Sequence, residues 1–341
     1  MVTEIIMTKS SVFKFFLIFA NLFPFLTFAE IPVHVSLEPH FGFSSGVIGE
    51  YLYDNTETNR MLSKLEWDRN LFFYGIESNL SVWRFHLSSD FSASIPKNFG
   101  DMRDSDWMSD SNPSMKTTYS VGENNSVQNY EGKISLSFDF FPFNSAEENL
   151  FVISPFGQFL YMYDSFERTK AEGWYGQWNH SSDKKNHWWY EPEAEHLPNT
   201  YWNESEGRYV TRKLAGISYE RSLYTFFIGT QISLKVSERI RLLLEMAVSP
   251  YFYSLAKDTH NGNNPRHYKQ IQEDYWNTKK ISFGGVFALT NRLEATLGTE
   301  FLFTDIAKGS YSLENIKDLS YKTGTSQFSM SAKLGLRVKV L

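Results

Sequence analysis

The C-terminal segment restricts the fold more than any other part of the chain. Phe328, Met330, Ala332, Leu334, Leu336, Val338 and Val340 alternate with Ser329, Ser331, Lys333, Gly335, Arg337 and Lys339. Side chains of a strand point to opposite faces in turn, so this segment has one apolar face and one polar, charged face. An amphipathic helix would instead repeat its apolar residues at three and four. An unbroken apolar row backed by lysine and arginine suits a wall with lipid on one side and a polar lumen on the other. The pattern recurs in Ile134, Leu136, Phe138 and Phe140, set against Ser135, Ser137 and Asp139. It appears again in Ile240, Leu242, Leu244, Met246 and Val248, set against Arg239, Arg241 and Glu245.

Short polar turns at 143–149, 236–239 and 289–292 alternate with longer polar stretches near 44–60, 96–127, 168–210, 256–276 and 306–322. Short connections on one side and long ones on the other are the pattern of an up-and-down barrel in a membrane. The intervening segments predict ten strands, at about 31–44, 60–75, 78–95, 127–141, 150–166, 210–235 (broken or unusually long), 238–255, 277–289, 293–305 and 321–341. The expected fold class is therefore all-β: a ten-stranded antiparallel transmembrane β-barrel with long extracellular loops. Several strands exceed the roughly nine to eleven residues needed to cross a bilayer, so the barrel is expected to extend above it.

Composition agrees. Phe (30), Tyr (19) and Trp (9) together make 17% of the chain, as the aromatic girdles of a lipid-facing barrel require. A net charge of −6 supplies no basic patch for nucleic acid. The absence of cysteine excludes disulfides, thiol chemistry and thiolate metal sites. Lys9 and Lys14 precede the apolar run 15–29, which is interrupted by Asn21 and Pro24 and ends in Ala29. That is the form of a secretory signal, with residues 30–341 as a single barrel domain.

Two polar segments carry candidate chemistry. One reads Asp104-Ser-Asp106-Trp107-Met-Ser-Asp-Ser-Asn112-Pro113, and the other Lys257-Asp258-Thr-His260. Residues two apart on a strand share a face, so each pair projects together. Adjacent carboxylates such as Asp104 and Asp106 repel and come to share a proton. Asp258 beside His260 supplies the orienting carboxylate and imidazole of a general base. Facing each other, the pairs would activate a water molecule. On spacing alone, a solvated turn is the ordinary account of an Asp-rich loop, and catalysis stands beside it as an alternative.

The Asp-x-Asp-Trp-Met and Ser-Asn-Pro block, the later Asp-x-His, and Ser45-Gly46-x-x-x-Glu50-x-x-Tyr53 followed by Leu62-Ser-Lys-Leu65-Glu-Trp67 together resemble the omptin family. The order and spacing of these blocks fit that family over most of the mature chain. The resemblance implies a ten-stranded barrel in the outer membrane, its cleft facing outside. It also implies an endopeptidase that cuts polypeptides near basic residues, using activated water without covalent intermediate, metal or cofactor. Asp104, Asp106, Asp258 and His260 fall on the family's catalytic positions, Glu50 on a pocket acid for a basic side chain, and Ser120 on a serine near the cleft. Ala256 stands where the family commonly has a second pocket acid, Thr118 where it has an aspartate, and Gly122 where it has a cleft histidine. Of the alternate residues at which the family contacts lipopolysaccharide, here Tyr161, Tyr163 and Ser165, the first is kept. Outer-membrane lipid is thus an expected partner and a candidate activator.

The rival expectation is an inactive barrel of the same ancestry, serving as adhesin or surface-binding protein. A porin is a further rival, although side chains fill most of a ten-stranded lumen. A barrel lipase would need a serine nucleophile beside His260, and no serine motif supplies one. The segment from Trp174 to Trp202 holds five tryptophans with His180, His187 and His196. It is expected to be a long extracellular loop packed on itself, with a carbohydrate platform or metal site as the alternatives.

Overall fold

The computed structural model describes residues 33–54, 59–140, 150–175, 177–180, 186–189, 200–203, 208–211, 216–261, 265–313 and 321–341. The expected signal at 1–29, the turn at 143–149 and the side chains of the Trp-rich segment lie outside the described residues. Every regular element among those described is a strand. In chain order they are β1 (Val33–Tyr53), β2 (Met61–Asp68), β3 (Leu71–Val82), β4 (Phe85–Ser94), β5 (Asn98–Asp106), β6 (Thr118–Phe138), β7 (Phe151–Tyr175), β8 (Gln177–His180), β9 (Asn186–Trp189), β10 (Thr200–Asn203), β11 (Arg208–Thr211), β12 (Gly216–Ser237), β13 (Ile240–Asn261), β14 (Arg266–Asp274), β15 (Thr278–Ala288), β16 (Leu293–Leu313) and β17 (Lys322–Lys339).

Ten staves close into a ring. β1 pairs with both β2 and β3, which succeed one another along one stave. β3 and β2 pair with β4 and β5, the two halves of the next. β6, β7, β12 and β13 follow as unbroken staves. β15 and β14 share the eighth, then β16 and β17 return to β1. All these pairings are antiparallel, and because β17 closes onto β1 the ten staves leave no free edge to template aggregation. β8–β9 and β10–β11 are small hairpins between β7 and β12.

The strand count agrees with expectation, but several boundaries differ. The first periplasmic turn is at Trp83 and Arg84, not near 76–77. The segment at 210–235, expected to be broken or unusually long, is the long strand of the two alternatives, 22 residues from Gly216 to Ser237. Breaks fall in the second, third and eighth staves, at residues 69–70, 95–97 and 275–277. At the last of these, one extra residue shifts the register against β13 and Trp276 takes a φ of 61°. Much of what reads as polar loop is strand: β1 runs on to Tyr53 and β13 to Asn261. Above the membrane both faces of a strand meet polar surroundings, and the apolar alternation that marks a lipid-facing strand disappears.

The 25 residues of β7 are more than twice the roughly nine to eleven that span a bilayer. The lower barrel carries the apolar exterior, with Phe72, Ile76, Leu136, Ile228, Leu242, Phe283, Leu297, Leu334 and Leu336 all exposed. Above them Phe91, Tyr130 and Tyr163 form a chain of ring contacts at 6.1 and 6.3 Å, and Tyr161, Tyr224 and Tyr253 form another at 5.1 and 6.0 Å. Trp83, Phe85 and Phe138 cluster at the opposite, short-turn end. Two aromatic belts bounding an apolar band set the membrane position.

Inside, the lumen is layered. At its base a cavity of about 790 Å³ is lined by charged side chains, including Glu38, Glu77, Lys133, Glu300, Lys333 and Arg337. Leu160, Met162, Leu223, Phe227, Phe252 and Leu302 pack above much of it. The next layer is a buried ionic knot in which Arg69 Nε and Arg221 Nη2 each donate to Asp164 at 2.8 Å. Trp67, Tyr219 and Phe166 cap the knot with near-parallel rings, Trp67 lying 5.2 Å from Tyr219 and 6.1 Å from Phe166. The cleft stands on this floor.

Candidate active site

β5 and β13 are separated by three staves on one side of the ring, which brings their outer ends to opposing walls of the mouth. Asp104 and Asp106 point inward from β5. Asp104 lies between Leu65 of β2 and Ser120 of β6, and Asp106 between Ser63 and Thr118. On the opposite wall, Asp258 and His260 are opposite Tyr219 and Ile217 of β12. His260 Nε2 lies 2.9 Å from Asp258 Oδ2. A carboxylate only accepts, so the nitrogen facing it carries the proton and the other ring nitrogen is left as an acceptor. Tyr268 of β14 meets the imidazole edge to face at 5.1 Å and fixes its plane.

The electrostatics tie the two walls together. Burial works against the charged imidazole, but Asp258 outweighs it and, with help from Asp104, lifts the His260 pKa above its ordinary value. Burial also raises Asp104, while Arg168 and His260 pull it back and Asp258 adds repulsion. Asp106 is pushed up to about 7, first by burial and then by the charge of Asp104, with hydrogen bonds from Ser63 and Thr118 offsetting part of the rise. The couple thus holds a proton close to neutral pH beside a histidine oriented by a carboxylate, an arrangement that handles a water proton.

The sequence agrees with a family model described as the Omptin family over residues 31–336. This chain belongs to the omptin family. The solved structure of the outer membrane protease OmpT from Escherichia coli is similar in fold, with a TM-score of 0.71 at 15% identity, covering 92% of this chain and 99% of that one. The P. putida toluene transporter TodX matches with a TM-score of 0.28 and 7% identity over 92% of this chain and 91% of that one. The transport unit of the autotransporter AIDA-I from Escherichia coli gives 0.29 and 10% over 95% and 97%. No curated protein sequence is a significant match. This omptin is an outer-membrane barrel of a protease family, with its cleft at the cell surface.

Glu50 and Ser120 stand deeper than a simple substrate contact requires, each only 1% exposed. Glu50 accepts from Trp67 Nε1 and Gln270 Nε2, both at 3.1 Å. Burial and then Asp258 raise its pKa well above the ordinary carboxylate value. The Ser120 hydroxyl accepts from Arg168 Nη1 at 2.8 Å. Any substrate contact by either residue involves displacing these partners. Thr118, where the family has an aspartate, hydrogen-bonds Asp106 in place of a third repelling carboxylate. Ala256 is buried against the apolar floor beside Ile48 and Trp67.

Sequence reasoning missed Arg168, Arg69, Asp164 and Arg221. Strand parity carries the signal for three of them. Asp164, Phe166 and Arg168 share the inward face of β7, and Tyr219 and Arg221 that of β12, but the predicted fifth strand stops at 166, short of Arg168.

Proposed function

We propose that this omptin is an endopeptidase that hydrolyses polypeptides near basic residues, using water activated between the Asp104–Asp106 couple and the Asp258–His260 dyad. The observation that carries this reading is the placement of the two pairs on opposing walls of the mouth, Asp104 and Asp106 on β5 and, on β13, His260 Nε2 2.9 Å from Asp258. His260, neutral and oriented by Asp258, accepts a proton from water as the water attacks the peptide carbonyl. Asp104 holds the water from the opposite side. Asp106, with its proton retained near neutral pH, donates to the departing amine. No covalent intermediate is needed, since water itself is the nucleophile.

Asp104 and Asp258, on opposing walls of the mouth, offer carboxylates to basic segments of a polypeptide. A basic side chain reaching Glu50 would displace the Gln270 amide and favour the charged carboxylate, whose pKa burial otherwise raises. Outer-membrane lipid packs against the aromatic belt, in which Tyr161 and Tyr163 stand, as the second class of partner.

The test is cleavage of a mixed fluorogenic peptide library by refolded protein in lipid, beside Asp104→Ala and His260→Ala. General acid–base groups contribute about 10²–10⁴-fold, so each folded variant is expected to lose at least that order of activity. The cut sites should lie beside Arg or Lys. A heat-modifiable, folded parent that cuts nothing in several lipids would overturn the proposal in favour of a binding protein.

A further inference from the structure

Arg168 is a buried cation beside the couple and has no place in the mechanism so far. Its side chain is 4% exposed and reaches the site from β7, a stave that supplies none of the four catalytic candidates. Nη1 donates to Ser120 Oγ at 2.8 Å, lies 3.6 Å from the Met102 sulfur, and stands 3.8 Å from Asp104 Oδ2. Ser120 and Met102 are themselves buried, so the guanidinium is held in a fixed seat.

Gly122 makes that seat possible. A Cβ there would meet Arg168 Cγ at 2.8 Å and the Thr169 carbonyl oxygen at 2.7 Å. The missing side chain on β6 and the arginine on β7 are one arrangement: the glycine leaves the volume through which the arginine stem reaches Asp104.

We propose that Arg168 is a positioning residue that holds Asp104 as the charged member of the couple and so leaves the shared proton on Asp106. The proposal rests on the endopeptidase mechanism above and adds which aspartate does what. The asymmetry is geometric. Asp104 faces a guanidinium, whereas Asp106 is flanked by the neutral hydroxyls of Ser63 and Thr118. The titratable groups facing the couple are Asp258 and His260 from β13 and Arg168 from β7. β2 and β6 contribute Ser63, Thr118 and Ser120. Arg168 is thus the permanent cation of this set, and Ser120, buried under it, serves as its anchor.

The experiment follows the protonated-carboxyl infrared band of refolded protein carrying ¹³C-labelled aspartate, as a function of pH. Parent, Asp106→Asn, Arg168→Met, Arg168→Lys and Gly122→Ala are compared. In the parent, the band is expected to vanish around neutral pH, and Asp106→Asn should remove it. Arg168→Met should move its midpoint upward by about one pH unit, a tenfold gain in proton affinity. Arg168→Lys should restore most of the parent value. Gly122→Ala, whose Cβ crowds both the Thr169 carbonyl oxygen and the Arg168 stem and leaves the charge in place, should shift the midpoint in the same direction as Arg168→Met.

An unmoved midpoint in folded Arg168→Met overturns the proposal, as does survival of the band in Asp106→Asn. If Arg168→Met does not fold, an unmoved midpoint in Gly122→Ala overturns it instead. The alkaline limb of kcat/KM should track the band, since activity needs Asp106 protonated. If the parent cleaves nothing, the protease mechanism fails, while the band still decides where the proton sits.

Discussion

The Asp258–His260 pair shows how one carboxylate sets both geometry and charge. At 2.9 Å Asp258 fixes the tautomer of His260, and its charge raises the pKa against the opposing effect of burial. A general base works when neutral, so activity should climb with pH through the raised His260 value. Asp258→Asn removes the charge that favours the imidazolium. The acid limb of kcat/KM should then move to lower pH, while the plateau falls by about 10²-fold or more as the ring loses its orientation. A limb that stays in place in folded Asp258→Asn would mean that another group sets it. The residues of this site were legible because Asp-x-Asp and Asp-x-His are compact in sequence. Arg168 was not, since its partners Ser120 and Asp104 lie 48 and 64 residues away in the chain.

At the scale of elements, β7 and β12 carry the interior in register: Phe166, Asp164, Met162 and Leu160 descend one strand, and Tyr219, Arg221 and Leu223 the other. The knot of Arg69, Asp164 and Arg221 sits in that ladder with side chains 5% exposed or less. Removing its carboxylate leaves two guanidinium groups buried without their anion. Asp164→Ala is expected to cost about 3–5 kcal/mol, read as a lower denaturant midpoint for the heat-modifiable band. Lys279–Asp305 joins the same ring at 2.7 Å with side chains 53% and 69% exposed, and Asp305→Ala should cost under about 1 kcal/mol. Equal losses in the two variants would refute the assignment of the knot as a buried anchor. Within the lipid-facing band, the elements were legible from period-two alternation. The outer extensions of β1, β6, β7 and β13 were not, because a strand solvated above the membrane has no apolar face to display.

At the scale of the whole molecule, the closed ring is plugged by its own side chains. The stacked Trp67, Tyr219 and Phe166, the ionic knot and the apolar layer beneath separate the cleft from the charged basal cavity. Planar-bilayer recordings of the refolded protein should therefore show no steady conductance. A stable open level would indicate that these layers leave a water path. The sequence by itself determined the barrel, its ten staves and the two polar pairs. Each of these rests on local spacing: alternation at two residues for the wall, and one intervening residue for each pair. Only the tertiary structure decided that the pairs face each other across the mouth, that Glu50 and Ser120 are buried with partners, and that Arg168 enters beside Gly122. Those facts depend on ring closure and strand register, which bring together residues far apart in the chain.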